Sequence, residues 1–156
     1  MTTDQIDTSN PLDMSLSDIK TERPLIKPGI LADFKVVKCS IMTNESKTFR
    51  VELEALSDLE AKEGGGTIPA ARAKLFDSIN TEPTGKSNWE LIQLGCARFI
   101  QGTDPSATIR IMRDRPEHFQ GMTVRLRVGY QAEGTGGDGI WRGAQNRIAE
   151  YLPKKA

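Results

Sequence analysis

Histidine occurs once in this chain of 156 residues, cysteine twice, and aromatic residues make up only 6%. A lone His118 leaves a histidine-based metal site or a Ser/His/Asp triad almost nothing to work with. Cys39 and Cys96 are far apart and each sits in an apolar run. In a cytosolic chain they read as two reduced core thiols rather than a disulfide or a metal pair. No apolar run approaches the ~20 residues that cross a bilayer. The first 20 residues are acidic and polar, unlike a secretory signal. The expected location is therefore the cytoplasm, with no membrane partner. Nucleotide-loop signatures are also missing. Gly64-Gly65-Gly66 is not followed by Gly-Lys-Ser/Thr, and the stretch from Gly134 to Gly139 joins two expected strands rather than a strand and a helix. Asp114, Glu117 and His118 share one turn and read as solvated charge. These absences exclude the familiar catalytic and cofactor frameworks and point to a binding module, with no enzyme activity, catalytic residue, metal or cofactor expected.

What is present is an uneven charge. The formal net charge is zero, yet residues 1–22 hold Asp4, Asp7, Asp13, Asp18 and Glu22 against Lys20 alone, a net of −4. Residues 23–156 consequently carry +4. The acidic segment lacks periodicity and aromatic residues, so it is expected to be a flexible arm. An acidic arm joined to a mildly basic domain suits a polyanion partner, with the arm as a weak internal competitor. The length fits one domain over residues 23–156.

Hydrophobic spacing then gives the elements. Residues 30–42 are rich in Ile, Val and Phe and predict a strand. From 47 to 56, Phe49, Val51, Leu53 and Ala55 alternate with Arg50, Glu52 and Glu54, which predicts a strand with one wet face. Residues 57–72 read as a long loop with room for a short helical turn, 73–79 as a third strand, and 89–101 as a helix capped by Ser87 or Asn88 and ended by Gly102. Residues 107–113 are ambiguous, and 115–121 read as a short helix or turn. Residues 122–131 predict the clearest strand, 133–139 a glycine-rich loop, and 140–152 the last strand. Five strands with one helix between the third and fourth is the order of the OB-fold, a small barrel that binds oligonucleotides. The expected fold is a mainly β, five-stranded OB-like barrel, closed or partly closed, behind the disordered acidic arm.

On that frame, Arg125 and Arg127 share the wet face of the fourth strand, about 7 Å apart, close to the phosphate spacing of an extended single strand. Arginine forks suit phosphate oxygens and stack on bases. The alternative is a solvated face with ion pairs to Glu52 or Glu54. Trp141 and Arg142 leave the glycine-rich loop, where an indole can stack on a base or belong to the core. Phe76 is open to the same two readings. Lys38, Arg50 and Arg147 can follow a phosphate backbone. The candidate nucleic-acid contacts are thus Lys38, Arg50, Phe76, Arg125, Arg127, Trp141, Arg142 and Arg147.

Three segments also resemble small phage-encoded proteins. Residues 21–29, Thr21-Glu22-Arg23-Pro24-Leu25-Ile26-Lys27-Pro28-Gly29, resemble an "RPLLPEG" opening. Phe119-Gln120-Gly121-Met122-Thr123-Val124-Arg125-Leu126-Arg127-Val128 resembles an "F-x-G-x-x-V-x-V-x-V" strand, and Gln145 to Pro153 a terminal "x-N-R-V-x-x-Y-x-P". The resemblance, loose over residues 21–153, implies an OB-like single-stranded DNA-binding protein of phage replication or recombination. Zero net charge and few aromatics depart from that pattern. Two other readings stand beside it. One is a phage structural or assembly protein that forms a homo-oligomer by arm exchange. The other is an accessory module whose acidic arm docks on replication or recombination proteins.

Overall fold

The computed structural model describes residues 24–85 and 88–154; the acidic arm lies outside them. Strand β1 (Leu31–Ile41) buries Ala32, Phe34 and Val36 on alternate positions, then shifts register between Val36 and Lys38. That bulge inserts one residue, so Lys38 stays outside and Cys39 turns into the core. A polar turn leads into β2 (Phe49–Ala55) and is tied by Asn44, whose Oδ1 accepts the Thr48 N–H at 3.0 Å. Phe49, Val51, Leu53 and Ala55 are all buried, as their two-residue period requires.

The expected loop over 57–72 is more ordered than its composition suggests. It holds the two-residue strands β3 (Leu59–Glu60) and β4 (Thr67–Ile68), which pair with each other, and a 3-10 turn over Ala70–Arg72. Leu59 and Ile68 are buried and anchor this small ribbon. Strand β5 (Lys74–Ile79) then pairs antiparallel with β2.

Helix α1 (Trp89–Thr103) is capped by Asn88, whose side chain accepts the Leu91 N–H at 3.0 Å. It runs past Gly102, the residue expected to end it. A Cβ on Gly102 would meet Val124 Cγ2 at 2.9 Å and Tyr151 Cβ at 3.2 Å, so this glycine permits close helix–sheet contact rather than a stop. The ambiguous stretch is a second helix, α2 (Ile109–Asp114), followed by a 3-10 turn over Pro116–Phe119. Strand β6 (Thr123–Gln131) follows. The expected last strand is split into β8 (Trp141–Arg142), paired with β7 (Gly134–Thr135), and β9 (Gln145–Tyr151).

The five long strands form one antiparallel sheet in the order β5-β2-β1-β6-β9. The protein is mainly β with few helices, but two features of the expected barrel are corrected. The described residues contain nine strands and two α-helices rather than five and one. The sheet is also not closed, because its edge strands β5 and β9 share no ladder. A side-chain link crosses the seam instead: the Tyr151 hydroxyl donates to Asp77 Oδ2 at 2.7 Å. Phe49, Phe99 and Phe119 pack ring against ring at centroid distances of 5.1–5.7 Å, and Tyr151 meets Phe99 at 5.5 Å. Cys39 and Cys96 are buried free thiols, pushed up to about 12 and about 11, chiefly by burial. Among the described residues, no helix is long and apolar enough to cross a membrane.

Candidate nucleic-acid interface

Register places two rows of side chains across the outer face of β1, β2 and β5. Ser40, Arg50 and Ser78 lie in one row, and Lys38, Glu52 and Phe76 in the next. These six residues line a surface hollow of about 220 Å³. Phe76 is 39% exposed although its strand neighbours Leu75 and Ile79 are buried, so the strand turns this one large ring outward.

A second hollow of about 420 Å³ lies between β5 and residues 142–147 and is lined by Pro24, Lys74, Phe76, Arg142, Asn146 and Arg147 among others. Phe76 belongs to both hollows, so they adjoin at its ring. Asn146 fixes one wall of the second. It accepts the Ile26 N–H at 2.7 Å and donates to the carbonyls of Ile26 and Gly129 at 2.9 and 3.1 Å. A third hollow of about 690 Å³ opens between β5, β9 and α1, where Leu91, Arg98 and Ile148 meet Asp77 and Tyr151.

The charges on this surface differ in how they are held. Arg142 is clamped by Asp138 through contacts of 2.8 and 3.2 Å. The guanidinium hydrogen bond holds the Asp138 carboxyl down at about 2 and raises Arg142, so both stay charged. Lys74 lies 3.8 Å from Glu52. Arg147 Nε donates to Gln131 Oε1. No ion pair among the described residues involves Lys38, Arg50 or Arg147. Burial raises the Asp77 carboxyl above its usual range, while hydrogen bonds from Tyr151 and Ser78 and the charge of Arg147 pull it back. Tyr151 is raised well above its ordinary value, first by burial and then by Asp77.

Of the eight residues expected from sequence, Lys38, Arg50, Phe76, Arg142 and Arg147 line the two adjoining hollows. Arg125, Arg127 and Trp141 line none of the three. Arg125 faces Asp33 at 3.4 Å. Arg127 meets Glu150 at 3.1 Å and the Gly29 carbonyl at 3.0 Å. Both arginines are ion-paired, with Asp33 and Glu150 rather than with the expected Glu52 or Glu54. Trp141 is 59% exposed on β8, which removes the core alternative for it. Sequence reasoning misses Ser40 and Ser78, whose only signal is an outward position in register with Arg50.

Among the described residues, no three His, Cys, Asp or Glu side chains are grouped to hold a metal ion. His118 instead pairs with Asp104 at 2.8 Å. Hydrogen bonds from Ser106 and then His118 hold that carboxyl down at about 2. Fold and site together define a small mainly β protein with a cation-lined outer face around one exposed phenylalanine. Comparison with known protein families and with curated protein sequences gives no match.

Proposed function

We propose that this chain binds single-stranded DNA without sequence preference, on a partly open OB-like domain. One observation carries the reading: Phe76 stands on the outer face between two hollows that gather Lys38, Arg50 and Arg147, none in an ion pair among the described residues, together with Arg142, which Asp138 already holds. Counting only the long strands, β2 and β5 are the second and third. The flanking 42–48 and 132–144 segments join the first to the second and the fourth to the fifth. An OB-fold grips oligonucleotides on that same face and with those same two loops, and its barrel is often partly open. Phosphates would meet the guanidinium and ammonium groups while a base stacks on Phe76, an interaction every base can make because each has a π-face. The phage setting, in replication or recombination, rests on the sequence resemblance.

A fluorescence titration with an unstructured oligonucleotide at two salt concentrations tests this. Affinity should fall steeply with salt, and duplex should bind more weakly. Phe76→Ala should cost about 1–3 kcal/mol of binding, the range for one stacked base. Lys38→Ala with Arg50→Ala should make the salt slope shallower by roughly 0.7 for each phosphate no longer neutralised. A flat salt response, or equal affinity for duplex, overturns the proposal.

A second reading has its own observation. Leu91 and Leu94 share one face of α1 and are 61% and 50% exposed, and Leu91 lines the third hollow. Such a patch suits a protein contact, as an assembly component or accessory module requires. Sedimentation without DNA separates the two: a large ordered assembly favours this reading.

A further inference from the structure

We propose that Glu52 reads the base seated on Phe76 and favours guanine at that one position. This rests on the single-strand-binding function proposed above and adds a base preference at a single subsite. Antiparallel register puts Glu52 on β2 directly opposite Phe76 on β5 and opposite Lys38 on β1. Directly opposed residues on one face have Cβ atoms about 4.5–5.5 Å apart, so the carboxylate stands at the rim of a base stacked on the ring. The neighbouring row, Ser40, Arg50 and Ser78, lies two residues along, roughly 7 Å away. It offers a guanidinium between two hydroxyls, a donor set that suits a phosphate. One nucleotide spans the two rows, with its phosphate on the first and its base on the second.

Two carboxylates line this hollow, Glu52 and Asp77. Both oxygens of Asp77 are taken, one by the Tyr151 hydroxyl at 2.7 Å and the other by the Ser78 N–H at 2.8 Å. Glu52 is held less closely. Lys74 stays 3.8 Å from it, beyond hydrogen-bonding distance, and both side chains are partly exposed. A pair of this kind contributes little and leaves the Glu52 oxygens able to accept. A carboxylate on a surface that meets phosphates weakens binding by repulsion unless the ligand brings donors to it. Guanine does so: its Watson–Crick edge carries two adjacent donors, N1–H and the N2 amino group, which match the two oxygens. Cytosine and adenine set one amino group beside a ring-nitrogen acceptor, and thymine sets its N3–H between two carbonyl oxygens. Unstacked bases in single strands are read on that edge, and hydrogen bonds to a charged acceptor are the strong ones. The cations of the two hollows meet phosphates and the Phe76 ring meets a π-face, and neither carries base information. The preference is therefore confined to one nucleotide, and the rest of the strand is bound whatever its sequence.

The experiment titrates full-length wild type and Glu52→Met with labelled thymidine strands of about eight nucleotides, a length within the range of one OB-like site. Three further strands carry a single central guanine, adenine or cytosine. Wild type should bind the guanine strand at least about fivefold more tightly than the thymidine strand, the lower end for one bidentate pair. The adenine strand should stay close to thymidine, which separates edge reading from the stacking strength of a purine. Glu52→Met keeps the length of the side chain without its acceptors or charge. It should bind all four strands alike, and thymidine at least as tightly as wild type does. Equal affinity of wild type for all four strands overturns the inference and leaves single-strand binding standing; this comparison needs no variant. A guanine preference that survives in Glu52→Met also overturns it, because a charge acting only on phosphates shifts all four strands by one factor. Absence of binding to every strand overturns the proposed function and this inference together.

Discussion

Arg125 and Arg127 illustrate how little a residue type says before its partners are known. Both project from the outer face of a strand, where spacing favours phosphates, yet Asp33 and Glu150 already face them. The double variant Arg125→Ala, Arg127→Ala should therefore change oligonucleotide affinity by less than about twofold, since the charge removed is locally balanced. A drop comparable to that of Lys38→Ala with Arg50→Ala would return these arginines to the binding surface. Asp77 makes a different point. Its folded carboxyl is raised, so between the ordinary carboxylate value of about 3.9 and the raised one the folded state holds more protons than the unfolded state. Stability should fall as pH climbs through that window. Asp77→Asn keeps an acceptor for Tyr151 and carries no charge. Its melting temperature should vary less with pH above about 4 than wild type does. At this scale the sequence is half legible. The outward parity of Arg50 can be read, but the placement of Lys38 and Phe76 beside it cannot. It depends on a register set by the bulge after Val36, which no local pattern marks.

At the scale of elements, long periodic runs are readable and short ones are not. β2 and β6 alternate for seven and nine residues, and both are strands where that period puts them. β3 and β4 have two residues each, too few to show any period, and Gly64-Gly65 between them resembles loop. Gly143 and Ala144 divide β8 from β9 without a turn signature, so the last run looks continuous. Gly102 reads as a stop because glycine so often follows a helix, when its reason is the sheet behind it. Gly102→Ala should destabilise the fold by about 1–3 kcal/mol, as overpacking does. Chemical denaturation would show this as a lower midpoint. An unchanged midpoint would mean that Val124 and Tyr151 have room to give.

At the scale of the whole molecule, the unclosed sheet is beyond any sequence reading. Closure depends on how far apart two edges lie after five strands have coiled, and neither edge carries a local sign of it. Mainly β character and the helical segment before β6 follow from hydrophobic spacing; the gap between the first and last members of the sheet does not.

That gap has a consequence for how the protein breathes. Among the described residues, β5 and β9 each keep one flank without a hydrogen-bonded neighbour, and the Tyr151–Asp77 hydrogen bond fastens them to each other like a button. Strands flanked on only one side open at lower free energy than those enclosed on both. Deuterium should therefore enter β5 and β9 well before β1, with Tyr151→Phe speeding uptake in the two outermost strands and leaving the centre slow. Uniform protection across all five would mean that the button is not what fastens the edges.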